Sequence, residues 1–277
     1  MSGVAGKVCM VTGANRGLGK ATSIGLAKLG AVVILVCRDE VKGEEAQSEI
    51  RRLSGNDSVD LLLCDLSDLN SVRKAAKEFA LKHEKLNVLV NAAAIYAPKR
   101  ALTADGLELM FATNYLGPFL LTNLLLGPLR ARSPSRIITL TAPSTTKIDF
   151  ENLQGEKHFG ALTAFGASKM ADILFTYELA KRLEGTGVTA NALFPGVMKT
   201  DLMRYAPWFA KLITAIVGKS PEKGAEAAVY LASSLEVEGI TGRFFKGKTI
   251  SDSNQYSHDT VVQQRLWDDS IKLTGLR

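Results

Sequence analysis

The stretch Val8-Cys9-Met10-Val11-Thr12-Gly13-Ala14-Asn15-Arg16-Gly17-Leu18-Gly19 decides the fold. Its first five residues form a short, largely apolar run of strand type, and a helical pattern follows the glycines through Leu29. Glycine is needed where a turn takes positive φ or where backbone passes close to a ligand. The helix N-terminus behind such a turn offers free N–H groups, which suit a phosphate. A glycine cluster alone is weak evidence. Set between the first strand and first helix of a βαβ unit, it reads as a dinucleotide cradle made by Gly13, Asn15, Arg16, Gly17, Leu18 and Gly19.

Outward from this turn the same alternation repeats. Strands are expected at Val8 to Thr12, Val32 to Cys37, Val59 to Cys64, Val88 to Asn91, Arg136 to Thr141, Val188 to Phe194 and Arg243 to Phe245, with helices between them. That order implies an α/β Rossmann fold: one domain over residues 1–277, with a doubly wound parallel sheet of seven strands and helices on both faces. Ser67 and Ser220 read as helix N-caps, the second strengthened by Pro221. A helix from Leu107 to Leu129 contains Gly117-Pro118, which predicts a kink there.

At the end of the second strand an acidic residue would accept the ribose hydroxyl of NAD, whereas a cation accommodates the extra phosphate of NADP. This chain places Arg38 there, and Arg16 in the turn is a second guanidinium suited to phosphate oxygens. Asp39 follows directly and opposes this reading. Two arginines against one carboxylate favour NADP(H) over NAD(H).

Composition narrows the class further. With 277 residues and 46% hydrophobic content, the chain can fill a sizeable core. Cys9, Cys37 and Cys64 are far apart and have no close Cys/His pairing, which excludes a zinc site by spacing and fits buried core positions in a reducing compartment. His83, His158 and His258 are equally scattered, so no metal is expected. The formal charge of +6 comes from Lys and Arg interleaved with Asp and Glu, giving no basic tract for nucleic acid but a field that draws an anionic dinucleotide. The first strand begins too early for a signal peptide and no apolar run reaches spanning length, so a cytoplasmic protein without a transmembrane anchor is expected.

The segment from Thr200 to Lys219 has no place in the sheet, and Trp208, Phe209, Leu212, Ile213, Ile216 and Val217 recur in it at helical spacing. A lid over a small apolar substrate explains this, as does a partner helix or a membrane-surface anchor.

Taken in order, the glycine turn, Asp65-Leu66, Asn91, Asn114, Lys169 and Pro195-Gly196 with Thr200 resemble the landmarks of the short-chain dehydrogenase/reductase superfamily over nearly the whole chain. Phe119 to Leu126, Leu179 to Thr189, Ser220 to Gly224, Leu266-Trp267 and Leu273 to Leu276 resemble its retinol dehydrogenase-like branch. The resemblance implies that Asp65 meets the adenine, Asn91 the adenine ribose side and Thr200 the nicotinamide amide, and that Lys169 holds the nicotinamide ribose. It further implies that Leu66, Ala92, Pro195, Gly196 and Val197 are cofactor-binding. For Asp65 and Thr200 a helix cap is the competing reading, and for Lys169 a solvated helix lysine. It also implies that the helices following the fourth and fifth strands pair subunits in a homo-oligomer.

At the reaction centre the pattern breaks. The superfamily uses a Tyr four residues before the Lys as acid or base, and a Ser at the end of the fifth strand that binds the substrate oxygen. Here Phe165-Gly166-Ala167-Ser168-Lys169 puts Phe165 at the first position, and Thr139-Leu140-Thr141-Ala142 puts Ala142 at the second. The usual Asn-Asn-Ala-Gly is Asn91-Ala92-Ala93-Ala94. Lys169 and Asn114 remain as catalytic candidates. A substitute proton donor could be Ser144, Thr141, Tyr96 or Tyr205; Ser144 leads if the loop after Ala142 turns it inward, against a turn-stabilising role after Pro143. The expected function is an NADP(H)-dependent reductase of an apolar carbonyl or activated alkene. A non-redox isomerase or cyclase retaining NADP(H), and an inactive NADP(H)-sensing protein, are the alternatives.

Overall fold

A computed structural model describes residues 3–199, 202 and 218–276. Seven strands pair in parallel: β1 (Val8–Thr12), β2 (Val32–Cys37), β3 (Val59–Leu63), β4 (Val88–Asn91), β5 (Ser135–Leu140), β6 (Val188–Phe194) and β7 (Phe244–Lys246). An eighth, β8 (Thr249–Ser251), joins β7 antiparallel, giving the order β3-β2-β1-β4-β5-β6-β7-β8. The seven-strand expectation therefore gains one edge strand. Only three residues long and linked to β7 through Gly247-Lys248, β8 is too short to carry an alternating signal.

The strands read as continuous apolar runs because both faces are covered. On one face, Met10, Ile34 and Leu89 meet α3 (Leu69–Lys82), α5 (Gly117–Leu124), α7 (Ala161–Arg182) and the C-terminal α9 (Thr260–Thr274). On the other, Cys9, Val11, Val33 and Leu35 meet α1 (Gly17–Lys28), α2 (Glu40–Ser54) and α8 (Pro221–Ser233). Successive strand residues thus feed opposite cores, the period of two that extended backbone imposes. Cys9, Cys37 and Cys64 are free and buried, as expected, and burial pushes their thiols up to about 12, about 11 and about 12.

Ser220 caps α8 as the sequence predicts, accepting from Lys223 N at 3.4 Å. Ser67 does not cap its helix. Asp68 does, its carboxylate accepting from Asn70 N and Ser71 N at 2.8 and 3.1 Å, while Ser67 Oγ donates to Asp65.

The expected helix from Leu107 to Leu129 is several pieces. They are α4 (Leu109–Phe111), a π turn (Ala112–Leu116), α5, and α6 (Leu126–Arg130). Pro118 has no N–H to give the preceding turn, which favours irregular bonding just upstream. Gly117 has a separate reason: a Cβ there would collide with the Leu66 carbonyl, so α5 could not approach the strand end so closely. Across α5 and α7 lies α9, with Trp267 against Phe119 and Phe175 at 5.0 and 5.9 Å between ring centroids. Part of the surface of these two helices is therefore covered by the chain's own C-terminal helix. Among the described residues no helix is long and apolar enough to cross a membrane.

Candidate cofactor and active site

Strand order reverses between β1 and β4, and the crevice outside the carboxyl ends of such neighbours is where open α/β sheets bind ligands. The glycine turn lies there. Gly13 and Gly17 take φ of +64° and +53°, values that an L side chain rarely adopts. A Cβ on Gly13 would come within 2.9 Å of Ala93 Cα, and one on Gly19 would collide with the Gly13 carbonyl. Thr12 Oγ1 accepts from Ala92 N and Ala93 N at 2.9 and 3.1 Å, joining the ends of β1 and β4 into one floor. Behind the turn, α1 begins at Arg16 with no side-chain cap and no acidic residue in its first turn. Its N-terminal N–H groups face no competing carboxylate of their own helix, which is the condition for receiving a phosphate.

At the end of β2, Arg38 is exposed, with Nε 3.9 Å from Asp65 Oδ2. The neighbouring Asp39 is turned to another task. It caps α2, accepting from Lys42 N at 3.0 Å and pairing with Lys42 Nζ at 3.2 Å, and these contacts hold its carboxyl below the ordinary value. Asp65 accepts from Ser67 N and Oγ at 2.9 and 2.6 Å, so it both organises the turn after β3 and faces Arg38. Leu66 is buried against the start of α5. Asn91 is interior: Nδ2 donates to Thr122 Oγ1 at 3.1 Å, and Oδ1 is sealed without a partner. After β6, Gly196 takes φ of +109°, and Val197 O accepts from Lys219 N at 2.8 Å. Residues 198 and 219 are thus neighbours. Thr200, Tyr205 and the apolar residues of the expected lid lie outside the described residues.

The reaction centre assembles from α7, the end of β5 and the loop after β4. Lys169 is not a solvated helix lysine. It is 4% exposed, and Nζ donates to Asp172 Oδ2 at 2.9 Å and to Leu140 O at 3.4 Å. Asp172 is 1% exposed, and burial pushes its carboxyl up to about 6 against the opposing pull of the Lys169 charge. Phe165 is half-buried, its ring centroid 5.9 Å from Lys169 Nζ. Thr141 Oγ1 donates to Lys169 O at 2.8 Å, fixing that turn of α7 on the end of β5. Ser144 Oγ donates to Gly166 O at 2.8 Å and accepts from Thr146 N at 3.2 Å, so it pins its loop onto α7.

Asn114 acts through its side chain. Oδ1 accepts from Ile95 N at 2.8 Å, and Nδ2 donates to Ile95 O and Ser168 Oγ, both at 3.1 Å. Ser168 in turn donates to Phe165 O at 2.8 Å. One chain of hydrogen bonds therefore links the loop after β4 to α7 beside Phe165. Asp172 was not among the residues singled out from the sequence. Its signal was a lone carboxylate three residues after Lys169 in the otherwise apolar run Met170 to Phe175.

A cavity of about 670 Å³ opens at the opposite end of the sheet, lined by Arg136, Tyr177, Val188 and Arg243 among others. It sits at the amino ends of β5 and β6, away from the crevice where this architecture takes its cofactor. Among the described residues no His/Cys/Asp/Glu group could hold a metal.

The short chain dehydrogenase family matches residues 7–208. Retinol dehydrogenase 11 of Mus musculus is 41% identical over 276 residues, covering 98% of this chain and 87% of that protein. Retinol dehydrogenase 14 of Homo sapiens is 40% identical over 292 residues, with coverages of 98% and 87%. A solved but uncharacterised protein of Mycobacterium paratuberculosis superposes with a TM-score of 0.79 at 33% identity, over 98% of this chain and 94% of its own. RhlG of Pseudomonas aeruginosa, solved as an NADP active-site complex, superposes with a TM-score of 0.70 at 25% identity, over 87% and 94%. The chain belongs to the short chain dehydrogenase family, a family of oxidoreductases that bind a nicotinamide cofactor.

Proposed function

We propose that this protein is an NADP(H)-dependent oxidoreductase that reduces an apolar carbonyl or activated alkene, working with a reaction centre that lacks the hydroxyl pair usual in proteins it resembles. The observation that carries this reading is the glycine turn at the β1/β4 switch point, whose space a Cβ would invade and whose following helix is uncapped. A dinucleotide fits it: the α1 N–H groups and Arg16 would hold the pyrophosphate, and Arg38 would hold the 2′-phosphate. Asp39 accepts its hydrogen bonds from Lys42 and shares its charge between Lys42 and Arg38, which supports NADP(H) over NAD(H). RhlG, a more distant relative, was solved with NADP. The two mammalian relatives are named for retinol, an apolar alcohol, which supports an apolar substrate class.

When bound, the nicotinamide carries the hydride. Lys169 has three N–H donors, two directed at Asp172 and Leu140 O, and the third is free for a ribose hydroxyl. Asp172 supplies the countercharge that lets this ammonium remain buried. Phe165 presents a ring that cannot transfer a proton, and Ala142 no hydroxyl. Losing a positioned general acid costs about a hundred- to ten-thousand-fold in rate unless another side chain gives the proton. The isomerase, cyclase and sensor alternatives gain no support from relatives that are dehydrogenases over nearly the whole chain.

The test is to incubate the protein with NADPH and a panel of apolar aldehydes, ketones and enones, following absorbance and product. Turnover with NADPH consumption is expected. Product rearrangement without net NADPH oxidation would point instead to an isomerase, and tight NADPH binding with inertness throughout would point to a sensor.

A further inference from the structure

The centre has no phenol at residue 165, but one stands beside it. The ring of Tyr96 packs edge-on against Phe165, with centroids 5.8 Å apart and planes at 65°. Lys169 Nζ lies 5.9 Å from the same Phe165 centroid. Both neighbours of Tyr96 are held: Asn114 grips Ile95 at its N–H and its carbonyl, and Ala97 N donates to Met110 Sδ at 3.2 Å. The Tyr96 ring is 7% exposed, in an apolar cluster with Met110, Phe159 and Leu202. Among the described residues its hydroxyl makes no hydrogen bond. Like any phenol it carries its proton at neutral pH, and burial raises its pKa, which makes it a weaker acid than an exposed tyrosine.

The other hydroxyls nearby are poorer candidates. Thr141, Ser144 and Ser168 each give their proton to a backbone carbonyl at 2.8 Å. Thr146 Oγ1 lies over Gly166, but an aliphatic alcohol is a far weaker acid than a phenol.

We infer that Tyr96 is the proton donor of this site, giving the Oη proton to the substrate oxygen in the role that the family resemblance assigns to residue 165. The inference rests on the oxidoreductase reading above. The Tyr96 O–H bond breaks as an O–H bond forms on the substrate oxygen, the substrate carbon is reduced by the hydride of the proposed cofactor, and water reprotonates the phenolate. Asn114 is then a positioning residue. Through Ile95 it sets where the Tyr96 ring stands, and through Ser168 it ties that ring to α7.

Tyr96→Phe in the full chain is expected to lower NADPH-dependent carbonyl reduction by about 100-fold while leaving NADPH affinity unchanged, and adding Phe165→Tyr is expected to restore the rate. A second readout needs no turnover. With carbon-13 at tyrosine Cζ, the resonance missing from Tyr96→Phe should move when an apolar carboxamide, a carbonyl the site does not reduce, is added. Wild-type rates in Tyr96→Phe, or a stationary resonance, would overturn Tyr96 and leave the oxidoreductase reading standing. So would an inert wild type alongside an active Phe165→Tyr, Ala142→Ser variant, because no donor would then be present. Absence of NADPH binding would remove that reading, and this inference with it.

Discussion

The cradle around Gly13 and the centre around Phe165 lie at the carboxyl edge of the same sheet, but they are built from different kinds of constraint. The cradle is backbone: positive φ at Gly13 and Gly17, close approach of Ala93, and a head of α1 with no side-chain cap among the described residues. Almost any side chain with a Cβ would fill it, so its function can be lost at a single position. The centre is side chain, held by Asn114, Ser168, Asp172 and Tyr96 around a phenyl ring that does no acid–base chemistry. On the inference above, the proton carrier moved there from residue 165 to a neighbouring ring while the backbone cradle stayed unchanged. The first region is constrained by backbone at Gly13, Gly17 and Gly19, and the second by contacts between side chains.

The largest expected effect breaks the first region alone. Gly13→Val combines strain at φ +64° with a contact at Ala93, together worth about 1–3 kcal/mol, and should weaken NADPH binding by up to about 100-fold in calorimetric titration. Undiminished binding would place the cofactor elsewhere. The second region is tested by adding Phe165→Tyr and Ala142→Ser to Tyr96→Phe, which should raise carbonyl reduction by at least about tenfold with NADPH affinity unchanged. No gain would mean that the pocket is shaped for other chemistry.

A smaller effect separates the two ends of the dinucleotide. Arg38→Ala should weaken NADPH by about tenfold, the scale of one charge-assisted hydrogen bond, and leave NADH affinity unaltered in parallel titrations. The smallest is a pH effect. Asp172 is pushed up to about 6 in the fold from an ordinary 3.8, so its contribution to stability is complete below the lower value and is lost as pH rises through the upper. Denaturant titrations should show stability falling by on the order of 1 kcal/mol between pH 5 and 7, and Asp172→Asn should flatten that slope.

Much of this was legible in the sequence where the determinants are local. Glycine spacing, the β-branched runs and Pro221 after Ser220 act within a few residues of themselves, and the seven parallel strands appear within one or two residues of their expected ends. What failed locally failed for local reasons too: Asp68 outcompeted Ser67 for a cap one position away, and β8 is shorter than the period that would reveal it. Asn114 gave a residue worth noticing but not its task, because its partner Ile95 comes from another element.

From the order of its residues alone this chain had to form a parallel sheet with a glycine turn after its first strand, because periodicity and glycine conformation are properties of short segments. Folding in three dimensions decided which charges oppose one another and which hydroxyls are already taken. Arg38 came to face Asp65, Asn114 bonded to Ser168 and Ser144 to Gly166, while Tyr96 came to rest against Phe165. Such pairings depend on distances between side chains on separate turns, loops and helices, and no short window of sequence contains them.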